Sequence, residues 1–240
     1  MEGLSVARGI AEEWGLELGE PFELSRYSFV APAGDAVLKL VPPDDDESAE
    51  EAEALAFWAG DGAVRLLRHD RVRRALLLER ARPGDDLSGL PEEDATAIAV
   101  RVGVRLWQPA AAPFRWIGDH VPRWLDAEPS ELTPLASKLY ASLEVGRTTL
   151  VHGDFHHHNV LRSERGWLAI DPKPMLGEPE YDVPSFLWNP LPCALRLEHL
   201  ESRLAAFVGA GLDEWRMRAW TVIRGAYLQP EGADVLRTLV

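Results

Sequence analysis

Apolar positions along the chain change their spacing about a third of the way through, and that change predicts its organisation. In residues 4–14, Leu4, Ala7, Ala11 and Trp14 recur at helical spacing, and Gly15 supplies a stop. Phe22–Val30 and Ala36–Val41 read as strands joined through Ala31-Pro-Ala-Gly-Asp35, a turn by composition. The polar loop Pro42-Pro-Asp-Asp-Asp46 leads to a helix over Glu50–Trp58 that ends at Gly60, and Val64–Arg68 and Arg74–Glu79 read as two further strands. Arg82-Pro-Gly-Asp-Asp86 then breaks the pattern. Beyond it, helices are predicted over Pro91–Trp107, Leu132–Leu143, Asp182–Trp188, Ala194–Val208 and Glu214–Tyr227. Short strands at Thr149–His152, Val160–Arg162 and Trp167–Ile170 lie among polar loops. Strands and helices segregated in this way predict an α+β fold with a boundary between residues 1–81 and 82–240.

The densest polar chemistry lies in Val151-His-Gly-Asp-Phe-His-His-His-Asn-Val-Leu161. Apolar residues flank a loop that presents Asp154 and Asn159, and Trp167-Leu-Ala-Ile-Asp171 repeats the device of an apolar strand ending in an acid. Two hairpin-like strands would bring Asp171 beside Asn159, whose oxygens suit a hard cation such as Mg²⁺. Asp154 would remain to orient or deprotonate a hydroxyl. Phosphoryl transfer needs these parts together with a distant lysine. Lys39 fits, within the strand Ala36-Val-Leu-Lys-Leu40, and the helix after it offers Glu51 or Glu53 as the carboxylate a buried lysine requires.

Charge narrows the class. The formal net charge of −14 argues against nucleic acid and anionic lipid as partners and favours a cationic small molecule. No apolar run approaches the length of a membrane span, and the first residues lack the basic-then-apolar pattern of a secretory signal. A single cysteine, Cys193, fits a reducing cytoplasm. The pattern carries no signal for oligomeric state. Of the 25 basic residues only Lys39, Lys138 and Lys173 are lysines. Arginine replaces lysine readily at a solvated surface but poorly where a compact ammonium is needed, which draws attention to Lys39 and Lys173.

His152-Gly-Asp154, Asn159 five residues later and Ile170-Asp171 together resemble the aminoglycoside phosphotransferases, which share the protein-kinase-like fold. Ala169-Ile-Asp-Pro-Lys173, Gly177-Glu-Pro-Glu-Tyr-Asp182 and Arg216-Met-Arg-Ala-Trp220 are similar to the streptomycin 6-kinase and hydroxyurea phosphotransferase branch. The resemblance implies two lobes, a small antiparallel-sheet N-terminal lobe that binds ATP and a larger helical lobe. It implies Asp154 as catalytic acid, Asn159 and Asp171 as Mg²⁺ ligands, Lys39 on the nucleotide phosphates and Glu51 as its partner. The hinge Leu78-Glu-Arg-Ala81 would hold adenine through backbone around Glu79 and Ala81. The turn over the phosphates would be Leu24-Ser-Arg-Tyr-Ser28, which lacks the expected glycine, although Ser25 and Ser28 could donate hydrogen bonds. The acceptor implied is an aminoglycoside or aminocyclitol such as streptomycin.

Other readings stand beside this one: a kinase of an amino alcohol or sugar, a nucleotide-binding protein with little catalysis, and a histidine metalloprotein. The last rests on His152 and His156-His-His158, but the spacing of known zinc motifs is missing, so the triple reads as an exposed loop and His152 as a backbone support. Trp116 or Trp124 could stack on a sugar ring. Glu178, Glu180 and Asp182 could hold ammonium groups of an acceptor, while Asp182 equally suits a helix cap.

Overall fold

The computed structural model describes residues 2–22, 28–190, 196–230 and 233–240. A first helix, α1 (Glu2–Trp14), precedes strands β1 (Phe29–Ala33) and β2 (Ala36–Leu40), helix α2 (Glu51–Trp58), and strands β3 (Leu66–Asp70) and β4 (Ala75–Glu79). The four strands form one antiparallel sheet in the order β1-β2-β4-β3. Period-two alternation along β2 decides what each face does. Leu38 and Leu40 pack with Ala7, Ile10 and Ala75 beneath α1, whereas Val37 and Lys39 point to the opposite face.

Some sequence expectations shift here. Leu4 is exposed, and Ala7, Ile10 and Ala11 form the buried stripe of α1. β1 begins at Phe29, and residues 31–33 belong to the strand: Ala33 pairs with Ala36, which leaves the two-residue turn Gly34-Asp35. Pro32 is tolerated because β1 is an edge strand, where a missing N–H leaves no ladder bond unmade.

The rest is mainly helical, with α3 (Glu92–Leu106), α4 (Val121–Ala127), α5 (Thr133–Ser142), α6 (Val183–Leu187), α7 (Leu197–Gly209) and α8 (Glu214–Leu228). Two small sheets interrupt it. One joins β5 (Gln108–Pro109), β6 (Arg115–Trp116), β7 (Thr149–Val151) and β10 (Met175–Gly177) in the order β5-β7-β10-β6, and the other is the hairpin β8 (Val160–Ser163) with β9 (Gly166–Ala169). Helix α4 and strands β6 and β10 were not foreseen, being too short to show a period. No helix among the described residues is long and apolar enough to cross a membrane.

One hydrophobic core crosses the boundary expected near residue 82. Leu55, Trp58, Leu76 and Leu78 of the sheet region are continuous with Leu106, Phe155, Val160, Leu168 and Phe186, each worth roughly 1.5–3 kcal/mol of burial. Trp58 also donates from Nε1 to the Leu106 carbonyl at 2.8 Å, which pins α2 to α3. Backbone bonds hold the β8–β9 hairpin to the segments entering and leaving the sheet region: Val64 N to Ala169 O at 3.0 Å and Arg162 N to Asp85 O at 2.8 Å.

Candidate active site

Lys39 is 4% exposed and Glu51 1%. The Lys39 Nζ donates to both carboxylate oxygens of Glu51, at 2.7 and 2.6 Å, and also to Asp171 Oδ1. Glu51 is therefore the partner; Glu53, two residues on, has a buried Oε2 with no hydrogen-bond partner. Burial opposes the Lys39 charge, but the Glu51 and Asp171 carboxylates outweigh it and hold the ammonium protonated. Burial pushes Glu51 up to about 7 against the pull of Lys39, and Asp171 adds to the push.

Asp171 follows β9 in the left-handed region, at φ 57°. That conformation is uncommon outside glycine, though aspartate tolerates it better than most, and here it accompanies a side chain that reaches across to Lys39. The hairpin sets Asp171 near Asn159: Val160 pairs with Ala169, and Ile170 N donates to Asn159 O at 2.9 Å. Asn159 Nδ2 in turn donates to the Asp154 carbonyl at 2.9 Å and to its Oδ2 at 3.3 Å. Burial raises the Asp154 carboxyl, yet the adjoining His156 ring and the Lys173 charge prevail and hold it well below the usual carboxylate range. Asp154 thus stays ionised, as an acceptor of a hydroxyl proton must be.

The loop carrying Asp154 is built for one geometry. Gly153 has φ 81°, and a Cβ placed on it would come 2.0 Å from the Lys173 carbonyl oxygen, so only glycine fits between His152 and Asp154. His152 is fully buried, and burial holds its ring below the ordinary histidine pKa. Its Nε2 lies 2.9 Å from Ile170 O and its Nδ1 accepts from Asp154 N at 3.3 Å, which puts the single proton on Nε2. The expected backbone-supporting role agrees with these contacts.

A family model described as aminoglycoside/hydroxyurea antibiotic resistance kinase matches residues 25–229. The chain belongs to that family. It is 36% identical over 236 residues to hydroxyurea phosphotransferase of Kitasatospora aureofaciens, covering 89% of this chain and 68% of that protein. It is also 32% identical over 234 residues to streptomycin 3''-kinase of Klebsiella pneumoniae, covering 88% of this chain and 86% of that protein. Among solved structures, a thermostable mutant of aminoglycoside phosphotransferase APH(4)-Ia, in ternary complex with ADP and hygromycin B, superposes with a TM-score of 0.61 at 21% identity, over 98% of this chain and 95% of that one. The fold is accordingly protein-kinase-like, α+β, with a small antiparallel-sheet lobe and a larger, mainly helical lobe. Family membership makes the chain a small-molecule kinase, a phosphotransferase with an alcohol group as acceptor.

In this kinase several residues do something other than expected. Glu178 accepts from Trp220 Nε1 at 2.6 Å and from Arg216, and Glu180 accepts from Asp213 N at 3.0 Å. Asp182, fully buried, receives His152 N and Gly153 N at 2.8 and 2.7 Å and Trp107 Nε1 at 2.8 Å. It braces the loop that carries Asp154, and although it stands at the N-cap position of α6 its side chain makes no capping hydrogen bond. All three carboxylates are buried and hydrogen-bonded within the fold, which argues against the ammonium-binding reading. Arg224, 5% exposed, completes the brace by donating to Gly153 O and Tyr181 O.

The histidine triple is not uniformly exposed: His157 is 2% exposed and stacks on Phe186 at 4.1 Å. Among the described residues no three His, Cys, Asp or Glu side chains form a metal-binding group. Trp116 is occupied by Arg147 over its ring and by Gly146 O at its Nε1, while Trp124 makes tilted ring contacts with His120 and Tyr227, each at 5.3 Å. Glu79 donates its N–H to Arg65 O at 2.9 Å, and its carboxylate accepts from Arg165 at 2.7 and 2.6 Å, so its side chain ties the β4 end to the β8–β9 turn. Residues 24–27 of the phosphate turn, and Cys193, lie outside the described residues.

Proposed function

We propose that this kinase transfers the γ-phosphoryl group of ATP to a hydroxyl of a small cationic acceptor, an aminoglycoside or aminocyclitol such as streptomycin. The observation that carries the reading is Lys39, held between Glu51 of the sheet lobe and Asp171 of the hairpin. That contact joins a phosphate-binding cation to the loop system of Asp154. In this reading residues 1–81 form the nucleotide lobe and 82–240 the lobe with catalytic and metal loops. Adenine lies against backbone from Glu79 to Ala81, and Lys39 contacts the phosphates.

Asn159 and Asp171 fit Mg²⁺. Asn159 has its amide nitrogen engaged by Asp154, which leaves the amide oxygen as donor, and the Asp171 carboxylate is half-exposed; oxygen donors of this kind suit a hard cation. Bound there, Mg²⁺ would neutralise charge on the transferring group. Asp154 orients the acceptor hydroxyl and takes its proton late, because the transition state is loose. Lys39 balances phosphate charge, and Glu51 keeps Lys39 extended from the sheet.

The named relatives support an antibiotic acceptor, ADP in the solved relative supports a nucleotide substrate, and the net charge of −14 supports a cationic acceptor. The same charge balance leaves out nucleic acid, and the single cysteine supports a cytoplasmic setting. The reading is tested by incubating the protein with ATP and Mg²⁺ over streptomycin, hydroxyurea and small amino alcohols and following phosphorus NMR. A new phosphate-ester resonance that needs Mg²⁺ is expected with an aminocyclitol. An ester formed only on an amino alcohol would move the acceptor class, and none at all would refute the transfer.

A further inference from the structure

Lys173 has no part in the scheme above, yet its placement is tightly specified. Its N–H donates to His152 O at 2.8 Å, and its carbonyl occupies the space a Cβ on Gly153 would need. The backbones of Lys173 and Gly153 are therefore locked together one residue before Asp154. From that fixed base the side chain reaches Glu47 Oε2 at 2.8 Å. Glu47 lies on the loop between β2 and α2, with its side chain 46% exposed. The partner is thus a solvent-facing carboxylate outside the sheet, easily exchanged for another anion. Those two backbone contacts place the base of the Lys173 side chain beside the loop that carries Asp154. Finally, a chain with 22 arginines and three lysines keeps two of those lysines here. A guanidinium would serve a surface pair with Glu47 as well, whereas a compact ammonium suits a small anion beside a carboxylate.

We propose that Lys173 is a second catalytic ammonium acting on the phosphoryl group in flight, with Glu47 as its resting partner. This rests on the phosphotransfer reading above. In the transfer, the bond from the γ-phosphorus to the β–γ bridging oxygen breaks and its electron pair leaves with ADP. The acceptor oxygen bonds the phosphorus, and the acceptor proton passes to Asp154. Negative charge sits on the three equatorial oxygens meanwhile. Lys39 meets it from the sheet lobe, and Lys173 supplies a cation from the Asp154 side, where a preorganised charge lowers the barrier most effectively.

The test is calorimetric binding of MgADP alone and of MgADP with aluminium fluoride, which mimics the phosphoryl group in transfer, alongside ATP turnover. Lys173→Met should bind MgADP within about threefold of the parent. It should lose about tenfold or more of the tightening that aluminium fluoride brings, and its turnover should fall on the order of a hundredfold. Ethylammonium should restore part of the turnover of Lys173→Ala, in which residue 173 keeps its backbone contacts but lacks the amine. Glu47→Gln should stay within about threefold of the parent in both readouts. Undiminished aluminium fluoride tightening in Lys173→Met would overturn the proposal, as would a Glu47→Gln loss equal to that of Lys173→Met, which would make the pair a structural tie. A parent protein that binds no MgADP would instead overturn the phosphotransfer reading and this inference with it.

Discussion

Lys39 and Glu51 form a bidentate pair at 2.7 and 2.6 Å, both less than a twentieth exposed, twelve positions apart on β2 and α2. The pair fixes the distance between sheet and helix and presents one ammonium to Asp171. Removing a single partner leaves a buried charge uncompensated, which costs about 3–5 kcal/mol, whereas replacing both with apolar residues is often near neutral. Lys39→Met should therefore lower the urea-unfolding free energy by about that amount, and Lys39→Met with Glu51→Leu should recover most of it. Glu53→Gln should change stability little. Equal losses from the Glu51 and Glu53 variants would contradict the pairing.

Gly153→Ala forces an L-residue to φ 81° and drives a Cβ into the Lys173 carbonyl. The backbone conformation alone costs on the order of 1–3 kcal/mol, before the clash. The expected outcome is a destabilisation of at least about 2 kcal/mol and loss of turnover, read by urea unfolding and ATP consumption. An active, parent-like variant would show that the loop adopts another geometry.

Asp182→Asn keeps the shape of a side chain that accepts three hydrogen bonds from His152, Gly153 and Trp107. The amide presents a donor where an acceptor is needed, so a loss of about 2–3 kcal/mol is expected. Turnover should fall with it, because the brace holds Asp154. Unchanged stability would mean the three donors find other partners.

His157 is buried with both ring nitrogens lacking partners, and burial holds its pKa down to about 3 against an ordinary 6.5. Between those values the unfolded chain binds more protons than the folded one. Stability is therefore lost as pH falls from about 6.5 toward 3, at up to about 1.4 kcal/mol per pH unit from this group. His157→Phe, stacked on Phe186, should flatten the pH dependence of urea unfolding between pH 6.5 and 4.5. An unaltered slope would place the acid sensitivity elsewhere.

The candidate groups could be singled out in the sequence because their chemistry is local. Asp154, Asn159 and Asp171 sit in two short polar loops bounded by apolar strands, and the β8–β9 hairpin closes them as their spacing suggests. Lys39 with an acidic partner was legible from a lysine in an apolar strand followed by an acidic helix, and the contacts of Lys39 Nζ decide for Glu51 over Glu53. What holds these groups was not legible. Asp182 and Arg224 reach the loop of Gly153 and Asp154 from 29 and 71 residues away in sequence, and nothing in a carboxylate or guanidinium marks it as a brace rather than a ligand-binding group. The burial of His157 was hidden for a similar reason: its stacking partner, Phe186, lies in α6. Two- and three-residue strands such as β6 and β10 exist through pairing, with no periodicity of their own.

The most direct test of the account is the steady-state rate of ATP consumption by Asp154→Ala beside the parent, in Mg²⁺ with streptomycin, with MgADP affinity measured on the same samples. The account expects MgADP affinity within about threefold of the parent and a rate lower by at least on the order of a hundredfold. Parent-like turnover in Asp154→Ala would contradict it.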